Sequence, residues 1–181
     1  MKVTINCFLP FSRLAETVQT VKELRASNLV NKIYLLAPPI TNICLPGCEL
    51  ISVEKMQSAQ AMRVIAEHSD ATYTLLYTKR TELKIGMLAL ERMVQVMEMT
   101  QAGMAYADHY QLTDGVQKPA PVIDYQPGSL RDDFDFGSVL LFNAQAFKEA
   151  AKETEEKFQY AGLYDLRLRI SQKHKLVHIN E

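Results

Sequence analysis

The sequence predicts an α/β fold, a mixed and mostly parallel sheet flanked by helices, from three observations. Up to Thr100, short runs rich in β-branched and aromatic residues alternate with amphipathic helical stretches. A strand, a crossover helix and a second strand fit between Lys2 and Ala37, a βαβ unit whose two strands lie parallel. The stretch Ala71 to Met99 then reads as a buried strand, a short polar loop and a long amphipathic helix.

Each element has its own signature. Lys2 to Leu9 is a strand stopped by Pro10, which cannot donate to a sheet ladder. Ser12 is placed to cap the following helix, with Leu14, Val18, Val21 and Leu24 as its buried stripe. Lys32 to Ala37 is the second strand, Pro38 to Gly47 a loop, and Glu49 to Val53 a short third strand. Ser58 opens a helix to about His68 with Ala61, Met62 and Ile65 facing inward. Ala71 to Tyr77 is the fourth strand. From Glu82 onward Met87, Leu90, Val94 and Met97 recur on one helical face.

The remainder is less regular. Met104 to Gln111 forms a fifth strand, and Asp114-Gly115 is a hairpin-turn signal. Lys118 to Gly128 holds three prolines and is expected to be extended or irregular. An acidic loop, Arg131 to Asp135, leads into a strand from Phe136 to Phe142. Helices over Ala144 to Phe158 and Tyr164 to Ser171 precede a last strand, Lys175 to Ile179. The expected organisation is one domain over residues 1–181, with a nucleotide-binding half (1–110) and an acceptor-side half (111–181).

Composition narrows the function classes. Twenty basic against 21 acidic residues leave a net charge of −1, so no global field favours nucleic acid or an anionic membrane. The apolar runs fall far short of the roughly 20 residues of a membrane span. The N-terminus reads as a strand rather than a signal peptide. Three cysteines at low density argue against a disulfide scaffold and for a reducing, cytoplasmic setting. Cys44 and Cys48 flank Pro46-Gly47 without further ligands at zinc spacing, so they read as loop cysteines. His68, His174 and His178 lie on separate elements with no visible cluster, and the methionines from Met87 to Met104 read as helix core. No P-loop, Gly-x-Gly-x-x-Gly or nucleophile elbow is present. In open α/β sheets ligands bind at the carboxyl ends of the strands, which directs attention to Tyr77-Thr78-Lys79-Arg80-Thr81.

The order of elements also resembles a known family. VTINCFLPF, IYLLAPP, TYTLLYTKRTELKIGMLALERMV, MAYADHYQL, FGSVLLFNAQAF and LYDLRLRISQKHKLVHINE stand where family-two glycosyltransferases have their principal strands and helices. The resemblance implies the GT-A fold, which is Rossmann-related, and inverting transfer from a nucleotide-diphospho-sugar to a glycan or polysaccharide acceptor. It places Pro10 and Phe11 near the base, and Tyr77, Lys79, Arg80 and Asp108 around the nucleotide-sugar.

The chain departs from the family at three points. The metal-holding Asp-x-Asp expected at the end of the fourth strand reads Tyr77-Thr78-Lys79-Arg80. The acidic residue expected after the second strand reads Ala37-Pro38-Pro39, and the Glu-Asp pair expected before the closing helix falls on Gly162-Leu163. A divalent Mn or Mg ion is therefore a doubtful cofactor. Lys79 and Arg80 either bind the diphosphate in its place or form a solvated loop. Asp133 and Asp135 spell Asp-x-Asp but precede a strand, leaving metal binding against an exposed loop. Asp108-His109 offers ligand or base chemistry against a bland strand-end role. Asp165 is the surviving candidate base, or else a helix-surface partner of Arg169 four residues on.

Two competing functions remain: a GT-A-like binding or scaffold domain without catalysis, and a nucleotidyltransferase, which would want a Gly-rich loop where FLPFSR stands. The abrupt end after Ile179 points to one domain of a longer protein with further domains.

Overall fold

The computed structural model describes residues 2–126 and 134–180. In chain order the elements are β1 (Ile5–Pro10), α1 (Leu14–Arg25), β2 (Val30–Ala37), β3 (Glu49–Ser52), α2 (Ala59–Glu67), β4 (Tyr73–Tyr77), α3 (Ala89–Thr100), β5 (Met104–Ala107), β6 (His109–Thr113), β7 (Val116–Ala120), β8 (Val139–Asn143), α4 (Ala144–Glu153), α5 (Gly162–Lys173) and β9 (Leu176–Ile179). The main sheet has the order β3-β2-β1-β4-β8-β5-β9, and β6 and β7 form a separate hairpin. β8 runs antiparallel to both β4 and β5, whereas the other pairings in this sheet are parallel. The expected mixed, mostly parallel α/β sheet is what the chain forms.

Both faces of the sheet are covered, so its central strands are apolar in both directions. Phe8, Tyr34, Leu36, Leu76, Leu140 and Phe142 point to one face and pack with α2, α4 and α5. Ile5, Cys7, Leu9, Ile33, Leu35, Leu75 and Leu141 point to the other and pack with α1 and α3. The period of two in these lists is the pleat of each strand read out as burial. Asn6, fully buried inside β1, is matched by donating from Nδ2 to the His68 carbonyl at 2.9 Å and accepting from Asn31 at 3.1 Å.

Several elements differ from expectation for identifiable reasons. Ser58 caps α2 as expected, accepting from the Ala61 amide at 3.1 Å. In α1, however, Arg13 occupies the cap position and Ser12 turns its hydroxyl to the Glu16 carboxylate. The buried stripe there is Thr17, Thr20, Val21 and Leu24, while Leu14 is 54% exposed. Burial of the two threonines is tolerated because Thr17 donates to the Arg13 carbonyl and Thr20 accepts from the Leu83 amide.

That last bond also ties down the segment after β4, so α3 begins at Ala89 rather than near Glu82. Met87 is left exposed, and Met93 joins Leu90, Val94 and Met97 on the buried face. The fifth strand stops at Ala107, because β6 leaves the sheet to pair with β7. Their turn has positive φ at both Asp114 (52°) and Gly115 (77°), the geometry of a two-residue hairpin loop. Pro119 sits inside β7, which a two-stranded ribbon tolerates on its unpaired side. β8 starts at Val139 after Gly137 (φ 75°), and α4 ends at Glu153, short of Phe158.

Candidate functional site

All the parallel strands of the main sheet finish at one edge, and antiparallel β8 begins there. Backbone bonds knit the loops at this edge: the Phe11 amide donates to the Leu36 carbonyl, Thr78 to Ser138, and Asp108 to Ile179. The strand order reverses at β1, from which the chain moves outward to β2 and β3 and then returns to β4 on the other side. The crevice between the ends of β1 and β4 is therefore a topological switch point, where ligands of open α/β sheets bind.

The residues singled out in the sequence divide there into supports and exposed groups. Pro10 is buried as the last residue of β1, and Phe11 is half-buried just beyond it. Tyr77 points to the α1/α3 face, its ring buried and its hydroxyl bonded to that of Thr81 at 3.0 Å. It anchors the loop from beneath. Lys79 and Arg80 are exposed at the tip. Arg80 reaches across the switch point, its guanidinium 3.4 Å from the Phe11 carbonyl. Arg80 and half-buried Phe11 thus meet at this edge, with Lys79 beside Arg80 on the same loop.

Further along the same edge stands a second group. Asp108, one residue past β5, accepts from the Val122 amide at 2.8 Å and lies 2.8 Å from Nε2 of His178. The other ring nitrogen, Nδ1, lies 2.7 Å from Asp124. An imidazole flanked by two carboxylates donates to both only when doubly protonated. Burial opposes that charge, but the two carboxylates outweigh it and raise the His178 pKa above 6.5. The backbone bond from Val122, then His178, holds Asp108 below the ordinary carboxylate range. Tyr106 completes the group: its ring stacks on His178 at 5.1 Å, and its hydroxyl donates to the Ile123 carbonyl and accepts from the Tyr125 amide. Residues 122–125 are thereby strapped across the strand ends.

A pH prediction follows from the signs. A raised histidine pKa stabilises the fold fully at low pH, and that contribution is lost as pH rises through the folded value, above 6.5. The lowered Asp108 pKa contributes above the usual carboxylate value and is lost only as pH falls below it. His178→Gln is expected to cost about 1.5–3 kcal/mol near pH 6, the scale of hydrogen bonds to charged groups. The difference from the unmodified chain should shrink by pH 9; denaturant melts at both pH values measure it, and a pH-independent difference would refute the strap's charge.

The other carboxylates fare differently. Asp165 lies in the first turn of α5 with its carboxylate 2.6 Å from Nε of Arg169, which also approaches Glu153 of α4 at 3.8 Å. Asp135 turns its carboxylate back to the Gly137 amide at 2.7 Å. Asp133 lies outside the described residues. The donor set at the end of β4, a hydroxyl and two cations, does not fit a divalent ion, which wants carboxylate or carbonyl oxygens. Asp124 and Tyr106 were not singled out from the sequence, and the expectation that His178 joins no cluster is corrected: it sits between Asp108 and Asp124 and stacks on Tyr106. Asp108 and His178 are 70 residues apart, and only the pairing of β5 with β9 brings them together.

Comparisons with known proteins agree on the fold. No protein-family profile and no curated protein sequence matches the chain. Among solved structures, S. aureus TarS (residues 1–349) superposes with a TM-score of 0.66 at 7% identity, over 98% of this chain and 58% of that one. The 4-diphosphocytidyl-2C-methyl-D-erythritol synthase of Anaerococcus prevotii gives 0.60 at 6% identity, covering 99% of this chain and 87% of the other. A glucose-1-phosphate thymidylyltransferase assigned in Bacillus anthracis, crystallised with sucrose, gives 0.58 at 8% identity over 98% and 87%. At these identities the likeness is one of architecture. The fold is GT-A-like and Rossmann-related, and no helix among the described residues is long and apolar enough to cross a membrane.

Proposed function

We propose that the chain is a nucleotide-sugar-dependent transferase, moving a sugar from a nucleotide-diphospho-sugar to a glycan or polysaccharide acceptor with inversion. The observation that carries this reading is the position of Lys79 and Arg80 at the switch point of a GT-A-like sheet. In this reading Pro10 and Phe11 border the base, while Lys79 and Arg80 take the diphosphate, Arg80 by its bidentate fork. Tyr77 holds their loop in place through Thr81. Asp108, fixed by Val122 and His178, borders the sugar. Residues 1–110 serve the nucleotide and 111–181 the acceptor.

An inverting transfer needs one carboxylate to take the proton of the acceptor hydroxyl. We assign that step to Asp165, whose orientation Arg169 fixes. The proton passes from the hydroxyl to the carboxylate as the acceptor oxygen bonds the sugar's anomeric carbon and the nucleoside diphosphate leaves. Asp165→Asn should lower turnover by a factor of about 100 or more, the usual contribution of a general base, with nucleotide affinity unchanged. Release of nucleoside diphosphate from UDP- and GDP-sugars, followed by mass spectrometry, is the test. Unaltered turnover in the variant would remove Asp165 from the mechanism.

A second reading is a binding domain that keeps the fold without catalysis. The engagement of Asp165 by Arg169 favours it, since the carboxylate oxygen that would receive the proton is already held by the guanidinium. Nucleotide binding with no turnover on any donor would select this reading.

A further inference from the structure

Arg167 stands out among the arginines of the described residues as partly buried without an acceptor for its Nε. It lies on α5 between Leu163, Leu166 and Ile170, which are buried, with its guanidinium carbon 4.7 Å from the centre of the Phe136 ring. Its Nε is sealed from solvent without an acceptor. Among the described residues no hydrogen bond or ion pair reaches any of its nitrogens, although a guanidinium carries five N–H donors. Asp135, whose charge acts on it, is turned to the Gly137 amide. Burial lowers its pKa to about 10, Asp135 and Tyr164 pulling the other way, so the group is still a cation at neutral pH. A partly buried cation without an acceptor is costly, and such costs collect at sites completed by a ligand.

Its surroundings describe that ligand. Phe136 packs at 4.4 Å against Phe134, which meets Tyr125 edge-on at 6.2 Å. Phe134 and Tyr125 are only half-buried. A planar cation therefore stands beside a partly open aromatic wall, next to the strap at residues 122–125 and within the half assigned above to the acceptor.

We propose that Arg167 and the wall of Tyr125, Phe134 and Phe136 form an oxyanion subsite for an acceptor sugar bearing a carboxylate or a phosphate. The guanidinium fork pairs with two oxygens of the anion, the half-buried rings of Tyr125 and Phe134 receive the apolar face of the sugar ring, and Phe136, fully buried, backs the guanidinium. The assignment to the acceptor rests on the proposed transferase function. Anion binding itself does not, so the two can fail separately.

The test is saturation-transfer NMR on the full chain with glucuronate, glucose 6-phosphate and glucose as probes, alongside Arg167→Met and Arg167→Lys. The expected result is at least tenfold tighter binding of an anionic sugar than of glucose. Preference for glucuronate or for glucose 6-phosphate distinguishes carboxylate from phosphate. R167M, which keeps the apolar stem on Phe136, should erase the preference while melting no lower than the unmodified chain; R167K should keep part of it. UDP affinity should be unchanged in both variants. Equal binding of all three sugars by the unmodified chain, or a preference that survives R167M, overturns the proposal.

Discussion

Gly162→Ala is expected to destabilise the fold by about 3 kcal/mol or more, beyond the usual range for overpacking because the clash is with backbone. Gly162 begins α5, and a Cβ there would stand 2.2 Å from the Ala59 nitrogen and 2.3 Å from the Ser58 carbonyl carbon. Neither can swing aside. The Ser58 hydroxyl caps α2, the Ala59 amide donates to the Phe158 carbonyl, and the Leu163 amide donates to the Gln57 carbonyl. Two chain crossings are locked at this point, and α5 can accept a methyl group only by lifting off α2. With folded domains stable by roughly 5–15 kcal/mol, that is a large share, worth a fall in Tm of about 6–12 °C for a chain of this size. Gly86→Ala is the control: its nearest neighbour is the Ala89 Cβ at 3.9 Å, and the change should be nearly neutral. Calorimetric melts of both variants decide the matter; equal Tm values would mean that the α2–α5 contact is looser than described.

The second large effect concerns ligand rather than fold. Replacing Lys79 and Arg80 together with alanine should weaken nucleoside diphosphate binding by about 100-fold or more, since a charge-assisted hydrogen bond contributes about 1.5–3 kcal/mol. Stability should hardly change, because both side chains are exposed and make no ion pair among the described residues. Arg80→Ala alone should account for the larger part, its fork reaching two oxygens where the lysine offers a point charge. Retained affinity in the double variant, measured by calorimetry with UDP and GDP, would return Lys79 and Arg80 to the status of a solvated loop.

Much of the fold was legible because it rests on local patterns. The short apolar runs read as β1, β2 and β4, the βαβ order and the Asp114-Gly115 turn all survive as read. Where the reading slipped, a distant partner had intervened. Thr17 and Thr20 are buried in α1 because the Arg13 carbonyl and the Leu83 amide satisfy them, which no hydropathy pattern reveals. The same bond from Leu83 delays α3 by two turns beyond the point at which its periodicity begins. The antiparallel insertion of β8 between β4 and β5 leaves no mark in its own residues.

The site divides in the same way. Lys79 and Arg80 follow from their position at the end of a predicted strand, since carboxyl ends of parallel strands converge wherever the sheet is open, and Pro10 and Phe11 from the family resemblance. The Asp108–His178–Asp124 group needed three-dimensional pairing, as did Arg167, which in the sequence is one more charge on a polar helix. Its anomaly is the lack of an acceptor, and that is visible only once its surroundings are known.

The central claim is that two cations at the end of β4 bind a nucleoside diphosphate where a metal-holding carboxylate pair would otherwise stand. Titration of the intact chain with UDP, GDP and CDP, once in EDTA and once with manganese, tests it most directly. The account predicts binding of at least one nucleotide in EDTA, little altered by manganese and lost in the Lys79→Ala, Arg80→Ala double variant. Binding that requires manganese and survives the double variant would contradict it, as would the absence of binding by every nucleotide under both conditions.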